Sequence, residues 1–552
     1  MESIRCTVAE LVAARWGDRR PGLWFEERVL SHHEVAAGAA ARAALLADLL
    51  PAGAEPHVGV LLDNTPEFPL WLGAAALAGA AVAGINPTRR GPELARDIRH
   101  TECPLLVTER SQLPLLDGLD LPGVRLLITD APDYAELLAP YADAVPDPSR
   151  ATPGDRILLC FTSGSTGAPK AALCSQGRLA AAGRSLVEQF GLGPDGVHYV
   201  CMPLFHGNAV IADWAPALTA GAGVALRRRF SASGFLPDVR RFRATYFTYV
   251  GRAVQYVLAT EARPDDADNP LRLGFGTEAG AVDAVRFERR FGVRLVEGYG
   301  SSEGGAAVQW TPGTPAGAVG RGAPGLAVLD PDSGAECPPA RFDGAGRLLN
   351  GDEAIGELVN RGPNPFEGYW RNPAAEAERR RRGGWYWTGD LFCRDADGYL
   401  YFAGRGDDRL RVDGENLAAA MIENILARYP GAAAVAVYAV PDPVTGDQVM
   451  AAIAGTFDPA DFAAFLAAQP DLGTKMAPRF VRLVERMPVT ATNKIHRAGL
   501  RREGPWCADP VWWRPPGERA YRRLTAEDAE GPLVSTRGPS PVRRQGLEPR
   551  TR

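Results

Sequence analysis

Cysteine is scarce and unpatterned in this sequence. Eight occur in 552 residues, at 6, 103, 160, 174, 201, 337, 393 and 507, with no Cys-x-x-Cys spacing. This argues against a disulfide framework and against a structural zinc site, and it fits a reducing cytosol. The seven histidines are as dispersed. Basic residues are not in excess. Sixty-one Lys and Arg against 66 Asp and Glu leave a net charge of −5, so the overall balance carries no footprint for nucleic acid. The opening residues, Met1-Glu2-Ser3-Ile4-Arg5, lack the basic-then-apolar order of a secretory leader. Long apolar runs are missing too. The longest, Leu70–Ile85, is rich in Ala and Gly and falls short of the ~20 residues that span a bilayer. It is expected to be a packed core helix. No internal repeat is visible.

What is present is the composition of a folded protein, 46% hydrophobic and 23% charged, in a chain long enough for two or three domains. Apolar strand-like runs at His57–Leu62, Leu105–Thr108 and Leu126–Thr129 alternate with helical stretches such as Pro69–Gly84. That order predicts α/β layers with largely parallel sheets. Pro and Gly cluster over 311–325 and 361–373 and mark turns. After about Arg405 the texture changes to a small α+β module. Strands are expected at Ala434–Val440 and Val449–Ala454, and helices at Met421–Tyr429 and Pro459–Gln469. The expected division is 1–404, 405–525 and a disordered tail at 526–552, Arg-rich from Gly531. The run Arg379–Arg382 reads by default as a solvated helix face, with contact to anionic lipid or to phosphate as the second option.

The richest segment is Thr162-Ser163-Gly164-Ser165-Thr166-Gly167-Ala168-Pro169-Lys170, directly after the buried-strand pattern Ile157–Phe161. Glycines let a backbone approach a polyphosphate and aim N–H groups at it. The hydroxyls of Thr162, Ser163, Ser165 and Thr166 add donors, and Lys170 adds charge. This is not the kinase and ATPase P-loop, which needs Gly-Lys-Ser/Thr. The stretch resembles the phosphate loop of the acyl-adenylate-forming enzymes, the superfamily of acyl-CoA synthetases, peptide-synthetase adenylation domains and firefly luciferase.

Further segments extend the resemblance in family order. Glu297-Gly298-Tyr299-Gly300-Ser301-Ser302-Glu303 is similar to the family's Tyr-Gly-x-Thr-Glu motif. The resemblance implies Tyr299 against adenine, Ser302 toward the α-phosphate and Glu303 on Mg²⁺. A hard cation bridging phosphates wants carboxylate oxygen, and a π-face suits a purine. Thr388-Gly389-Asp390 and Gly404-Arg405 resemble the ribose-binding Asp and Arg. Asp407, two residues on, would be the hinge of a mobile C-terminal domain, and Gly414 would line the thiol tunnel. Pro488–Ile495 resembles the motif that carries the catalytic lysine, here Lys494, with Asn493 where the family usually has Gly. Gly276, Thr277 and Glu278 sit where the family places adenine contacts. His206 in Pro203-Leu204-Phe205-His206-Gly207 matches the residue gating the acyl pocket, whose walls would include Tyr249 and Gly298. Asp413-Gly414-Glu415-Asn416 and Asp509–Pro515 look most like the very-long-chain acyl-CoA synthetase and fatty-acid-transport-protein branch.

The resemblance implies the adenylate-forming fold, a large multi-sheet α/β domain with a small mobile α+β domain. It also implies a fatty-acid–CoA ligase using ATP, Mg²⁺ and coenzyme A, with acyl-AMP and pyrophosphate formed first and acyl-CoA and AMP second. Its partners would be small molecules: a carboxylic acid, ATP and CoA. The expected location is the cytoplasm, with peripheral membrane contact open through the Arg-rich tail. Other readings stay open. One is an acyl-AMP ligase that hands its product to a carrier protein. Another is a nucleotide-binding protein with reduced catalysis, a reading that Asn493 favours. A third is a peptide-synthetase domain, which would want an Asp in its pocket; Asp213 is present but unassigned. The acid and the oligomeric state cannot be read.

Overall fold

The computed structural model describes residues 6–162, 170–344, 346, 348–381, 383–406, 409–412, 415–442, 446–469, 471–473, 475–489, 495–525 and 527–529. Four sheets organise them. The first orders its strands Arg294–Glu297, Leu273–Thr277, Tyr246–Val250, Val197–Val200, Gly223–Leu226, Pro21–Phe25 and Arg28–Ser31. All neighbours are parallel except the last pair, a hairpin. The second runs Arg125–Ile128, Leu105–Thr108, His57–Leu61, Ala81–Gly84, Arg156–Thr162 and Lys170–Ser175, again parallel but for its final hairpin. The α/β expectation holds for these two sheets, and the strand expected at Leu126–Thr129 lies one residue earlier.

Between them helices close the largest core. Glu67–Ala78 has every residue from Phe68 to Leu77 buried, so it is covered all round rather than along one stripe. Trp71 and Leu72 from it, Leu45 and Leu46 from helix His32–Leu49, and Leu179 from helix Gln176–Phe190 share one cluster. Buried Gln176 ties three segments together, accepting from the Ala9 amide at 3.1 Å and donating to the Ala76 carbonyl at 2.9 Å.

The run Leu70–Ile85 is not one helix. The helix ends at Ala78. Gly79 takes φ 66° and its N–H caps the Ala75 carbonyl. The chain then enters the sheet as Ala81–Gly84, between His57–Leu61 and Arg156–Thr162. A glycine in the left-handed region is a common helix stop, and in an Ala/Gly-rich run it leaves no break in hydropathy.

The expectation of largely parallel sheets fails over 308–405. There a six-stranded sheet orders Val308–Gln309, Gly320–Gly322, Tyr399–Arg405, Tyr386–Arg394, Gly356–Asn360 and Leu326–Leu329, antiparallel throughout. Its longest strands, Tyr386–Arg394 and Tyr399–Arg405, contain Gly389 and Gly404, and Val308–Gln309 and Gly320–Gly322 are too short to show a period. The fourth sheet begins at Arg409–Val412 and is mixed. Ala432–Asp442 and Gly446–Gly455 pair antiparallel, and the latter runs parallel to Phe480–Val484. Alternation along these strands feeds two cores, Val437, Val449 and Ile453 on one face, Tyr438, Met450 and Phe480 on the other. The strands and helices expected in this module are all present, with ends shifted by at most three residues. Among the described residues no helix is long and apolar enough to cross a membrane.

Candidate active site

The antiparallel sheet brings the motif residues together. Strand Tyr386–Arg394 turns at Gly389, φ 78°, between Thr388 and Asp390. Thr388 Oγ1 donates to the Leu358 carbonyl at 2.8 Å and accepts the Asp390 amide at 3.1 Å. Glu357, 5% exposed, accepts the Gly389 amide at 2.7 Å and pairs with Arg381 at 2.7 Å. The turn is therefore held from below by a carboxylate and a hydroxyl, and Asp390 is presented by it. Tyr299 donates its hydroxyl to Asp390 Oδ2 at 2.7 Å, and its ring stands edge-on to Phe392 at 4.8 Å. Arg405, the register partner of Asp390, lies 3.8 Å from Oδ1. Burial pushes the Asp390 carboxyl up from its ordinary value. Arg405 and the Tyr299 hydroxyl pull it down, Glu303 adds to the rise, and Arg379 opposes it. Such a carboxylate gains from further donors, and vicinal hydroxyls are such donors.

Glu303 lies in the same neighbourhood, 8% exposed, accepting the Tyr369 hydroxyl on Oε1 at 3.0 Å. Its loop is pinned from behind. Arg178 donates to the Ser302 carbonyl at 3.0 Å and to the Leu173 carbonyl at 2.8 Å. A Cβ added to Gly207 would come within 3.3 Å of Ser302 Oγ, so the His206–Gly207 segment borders this motif. His206 is the N-cap residue of the short turn Gly207–Ala209.

Tyr249, Gly276 and Gly298 form a tight stack. A Cβ on Gly276 would fall 2.2 Å from the Tyr249 carbonyl, and one on Gly298 would fall 2.4 Å from the Phe275 ring. Glycine is required by close approach at both. Tyr249 is 1% exposed, with its hydroxyl 2.7 Å from Glu297 Oε1, so it is packed in the core under this stack. Burial raises the Glu297 carboxyl to about 8; the Tyr249 and Ala279 hydrogen bonds oppose that, and Glu278 adds to it. Thr277 ends strand Leu273–Thr277 opposite Val250. Glu278 follows at φ 68°, its carbonyl pressed onto Gly251. Gly300 faces open space. Phe190, Phe275 and Trp310, all half-buried, cluster at 5.1 and 6.4 Å just beyond Gly298.

The phosphate-rich loop joins antiparallel strands Arg156–Thr162 and Lys170–Ser175, with Thr162 opposite Lys170. Lys170 Nζ is 3.6 Å from Glu378. Ser163, Gly164, Ser165, Thr166 and Gly167, together with Asp407, Gly414, Asn493, Lys494 and the tail from 530, lie outside the described residues, as does the side chain of Thr162. Asp213 is fully buried, bonded to Thr248 at 2.9 Å and to His198 at 3.2 Å. Core partners, not an open pocket, occupy its carboxylate.

One expectation changes in part here. Of Arg379–Arg382 only Arg379 is in a helix, and it turns inward; Arg380 and Arg381 are exposed but engaged, and Arg382 lies outside the described residues. Arg379 faces Tyr369, Arg380 bonds the Phe366 carbonyl at 2.5 Å, and Arg381 pairs with Glu357 while lying over Trp387. Sequence reasoning also missed Tyr369, Arg379, Glu357 and Arg178. None sits inside a motif, and only tertiary contact reveals them.

Comparison with known proteins shows the family. A family model described as AMP-binding enzyme matches residues 10–370, and one described as AMP-binding enzyme C-terminal domain matches 421–494. A steroid-22-oyl-CoA synthetase of Rhodococcus jostii (strain RHA1) is 52% identical over 536 residues, covering 95% of this chain and 96% of that one. A medium/long-chain-fatty-acid–CoA ligase, FadD17, of Mycobacterium marinum is 47% identical over 513 residues, covering 92% and 98%. The crystal structure of the anthranilate CoA ligase AuaEII in complex with anthranoyl-AMP superposes with a TM-score of 0.80 at 22% identity, covering 91% of this chain and 98% of that chain. At that identity the likeness is one of fold.

Proposed function

The chain belongs to the AMP-binding enzyme family and is an ATP-dependent acyl-CoA synthetase working through acyl-AMP; we propose that its acid is a large apolar monocarboxylic acid, a steroid side-chain acid first and a medium- or long-chain fatty acid second. The names of the two curated relatives support that order. So does the half-buried aromatic group Phe190, Phe275 and Trp310 beyond Gly298, an apolar surface fit for a rigid ring system.

The observation that carries the nucleotide assignment is the 2.7 Å bond from Tyr299 to Asp390, with Glu303 close enough to act on the same carboxyl. Asp390 and Arg405 hold the ribose, Tyr299 and the Gly276–Glu278 backbone hold adenine, and Thr162–Lys170 with Ser302 hold the phosphates. Glu303 fits Mg²⁺. It lends one oxygen to Tyr369 and is almost buried, and a single carboxylate beside a polyphosphate is the usual setting for this ion. When bound, Mg²⁺ supplies positive charge to the phosphates. The acid's carboxylate is the nucleophile at the α-phosphorus, so the protein positions and neutralises rather than attacks. His206 and Gly298 flank the acyl group, with Tyr249 behind them. Lys494 meets the charge that develops as pyrophosphate leaves. We further propose that 405–525 is a domain rotating about Asp407, bringing Gly414 to the CoA thiol for the second step, and that 526–552 is a separate tail.

The test is pyrophosphate and AMP release from Mg-ATP over a panel of acids, with and without CoA. Acid-dependent pyrophosphate with CoA-dependent AMP is expected, greatest with steroid side-chain acids. Release indifferent to CoA would replace this reading with an acyl-AMP ligase. A short or aromatic acid as best substrate would overturn the substrate class.

A further inference from the structure

Arg379 ends helix Pro373–Arg379, in the segment between the Glu303 motif and the Asp390 turn. That segment is strapped to the phosphate-loop hairpin. The Trp370 amide donates to the Ala171 carbonyl at 2.8 Å, and the Leu173 amide to the Gly368 carbonyl at 3.1 Å. The Ser175 amide and hydroxyl reach Glu367 at 2.7 and 2.6 Å. From this strap Tyr369 places its hydroxyl on Glu303. Arg379 then turns inward. Its Nε faces the Tyr369 hydroxyl at 3.4 Å and its Nη1 the Trp387 carbonyl at 3.4 Å. A Cβ added to Gly389 would lie 2.4 Å from Nη1. One guanidinium thus stands behind Glu303, against the strap, and under the turn that presents Asp390.

The position matters because two carboxylates that feel each other's charge are both little exposed to water. Glu303 is 8% exposed and the Asp390 side chain 15%. Their repulsion is poorly screened there. The other cation at Asp390, Arg405, is 54% exposed, where solvent weakens its effect. Lys170 engages Glu378 at 3.6 Å. Arg178, 9% exposed, is paired with Glu367 at 3.8 Å, which leaves half-buried Arg379 as the counter-charge that faces both carboxylates.

We propose that Arg379 is a positioning residue for the nucleotide, holding Glu303 and the Asp390 turn in register so that phosphates and ribose are bound together. It rests on the reading of those two carboxylates given above. Arg379 acts through Tyr369 and Gly389, and its planar fork spans both.

The test is equilibrium binding of AMP to the full chain without metal, by calorimetry, together with KM values for Mg-ATP, acid and CoA. The variants are Arg379→Gln, Arg379→Lys, Arg380→Gln and Asp390→Asn. Arg379→Gln should weaken AMP binding and raise KM for ATP by about tenfold each, with the other KM values within about twofold, the scale on which outer-shell partners act. Arg379→Lys, which keeps the charge but not the fork, should recover only part of the loss, and Arg380→Gln should match the wild type. Wild-type AMP affinity in Arg379→Gln would overturn the proposal. So would a lysine variant as weak as the glutamine one, or a parallel rise in all three KM values with a lowered melting temperature. A different failure is separable: if Asp390→Asn binds AMP like the wild type, the reading of Asp390 falls, whatever Arg379 does.

Discussion

Around Asp390, hydrogen bonds join segments far apart in the sequence; around the loop that carries Lys494, those of the described residues stay within the C-terminal module. Tyr299 with Asp390, and Glu303 with Tyr369 and Arg379, form two hydrogen-bonded groups that meet where Arg379 reaches the Trp387 carbonyl and Gly389, with Glu357 and Thr388 beneath the turn. In the module, Arg497 pairs with Glu423 at 2.8 Å, and Arg482 with Glu503 and Asp509 at 2.6 and 2.5 Å. The Lys494 loop is closed at its base by the His496 amide on the Pro488 carbonyl, 2.8 Å, and by the Val489–Ile495 bridge. The difference teaches a division of labour. On the reading proposed above, nucleotide binding would be preorganised by side chains that fix one another, whereas the module, internally braced, would deliver one charge. Preorganised dipoles and charges are what lower a barrier without reorganisation at the moment of reaction.

The sharpest way to break this contrast is Lys494→Ala. Adenylation, followed as pyrophosphate release, should fall ~10²–10³-fold, the usual cost of one transition-state donor. AMP affinity and thioester formation from supplied acyl-AMP should stay close to wild type. Equal loss in both half-reactions would show the lysine to be part of the binding cluster. Next in size is Asp390→Asn, the opposite case. Removing a charged acceptor from a nearly buried site should cost about 2–3 kcal/mol, roughly 30- to 150-fold, in kcat/KM for ATP. Steady-state kinetics should place that loss in KM for ATP and leave KM for the acid unmoved.

The same contrast governs what the sequence discloses. Tyr299 to Glu303, Thr388 to Asp390, and Gly404-Arg405 are legible because nucleotide chemistry needs those side chains in short contiguous runs. Tyr369, Arg379 and Glu357 are not, because each acts through a partner outside any one short run, 66 residues away for Tyr369, 24 and 32 for Glu357, and ten and eight for Arg379. Arg379 stands in a charge run whose pattern is that of any solvated face. Gly79 was readable in principle, since glycine followed by Ala-Ala-Val marks a helix stop and a strand start. The antiparallel sheet was not, because strands such as Val308–Gln309 and Gly320–Gly322 are too short to show a period. The two parallel sheets were, because most of their strands are apolar runs alternating with helices, and the C-terminal module was, because its central strands run eleven and ten residues.

Arg497→Ala probes the module's own bracing. The pair with Glu423 is half-buried, at 28% and 15% side-chain exposure. Its loss should therefore cost about 1–2 kcal/mol, between an exposed and a buried ion pair. The melting temperature should fall by a few degrees and adenylation by a few-fold, with AMP affinity unchanged. An AMP affinity that fell in step would mean that the module takes part in holding the nucleotide.

The smallest expected effect lies under the adenine side of the cluster. Glu297 accepts from the Tyr249 hydroxyl and the Ala279 amide, with Glu278 as its charged neighbour, and burial raises its carboxyl from 4.5 to about 8. Between those two values the folded chain holds a proton there that the unfolded chain releases. Linkage then makes folding stability fall as pH rises from about 4.5 to about 8, and level off above it. Glu297→Gln keeps a neutral group that can accept from Tyr249 and removes the titration. Its melting temperature should match the wild type near pH 5 and exceed it by a few degrees near pH 8. A melting series across that range reads the difference directly. Parallel curves would mean that Glu297 ionises as an exposed carboxylate does, and that the stack of Tyr249, Gly276 and Gly298 is wetter and looser than the cluster around Asp390.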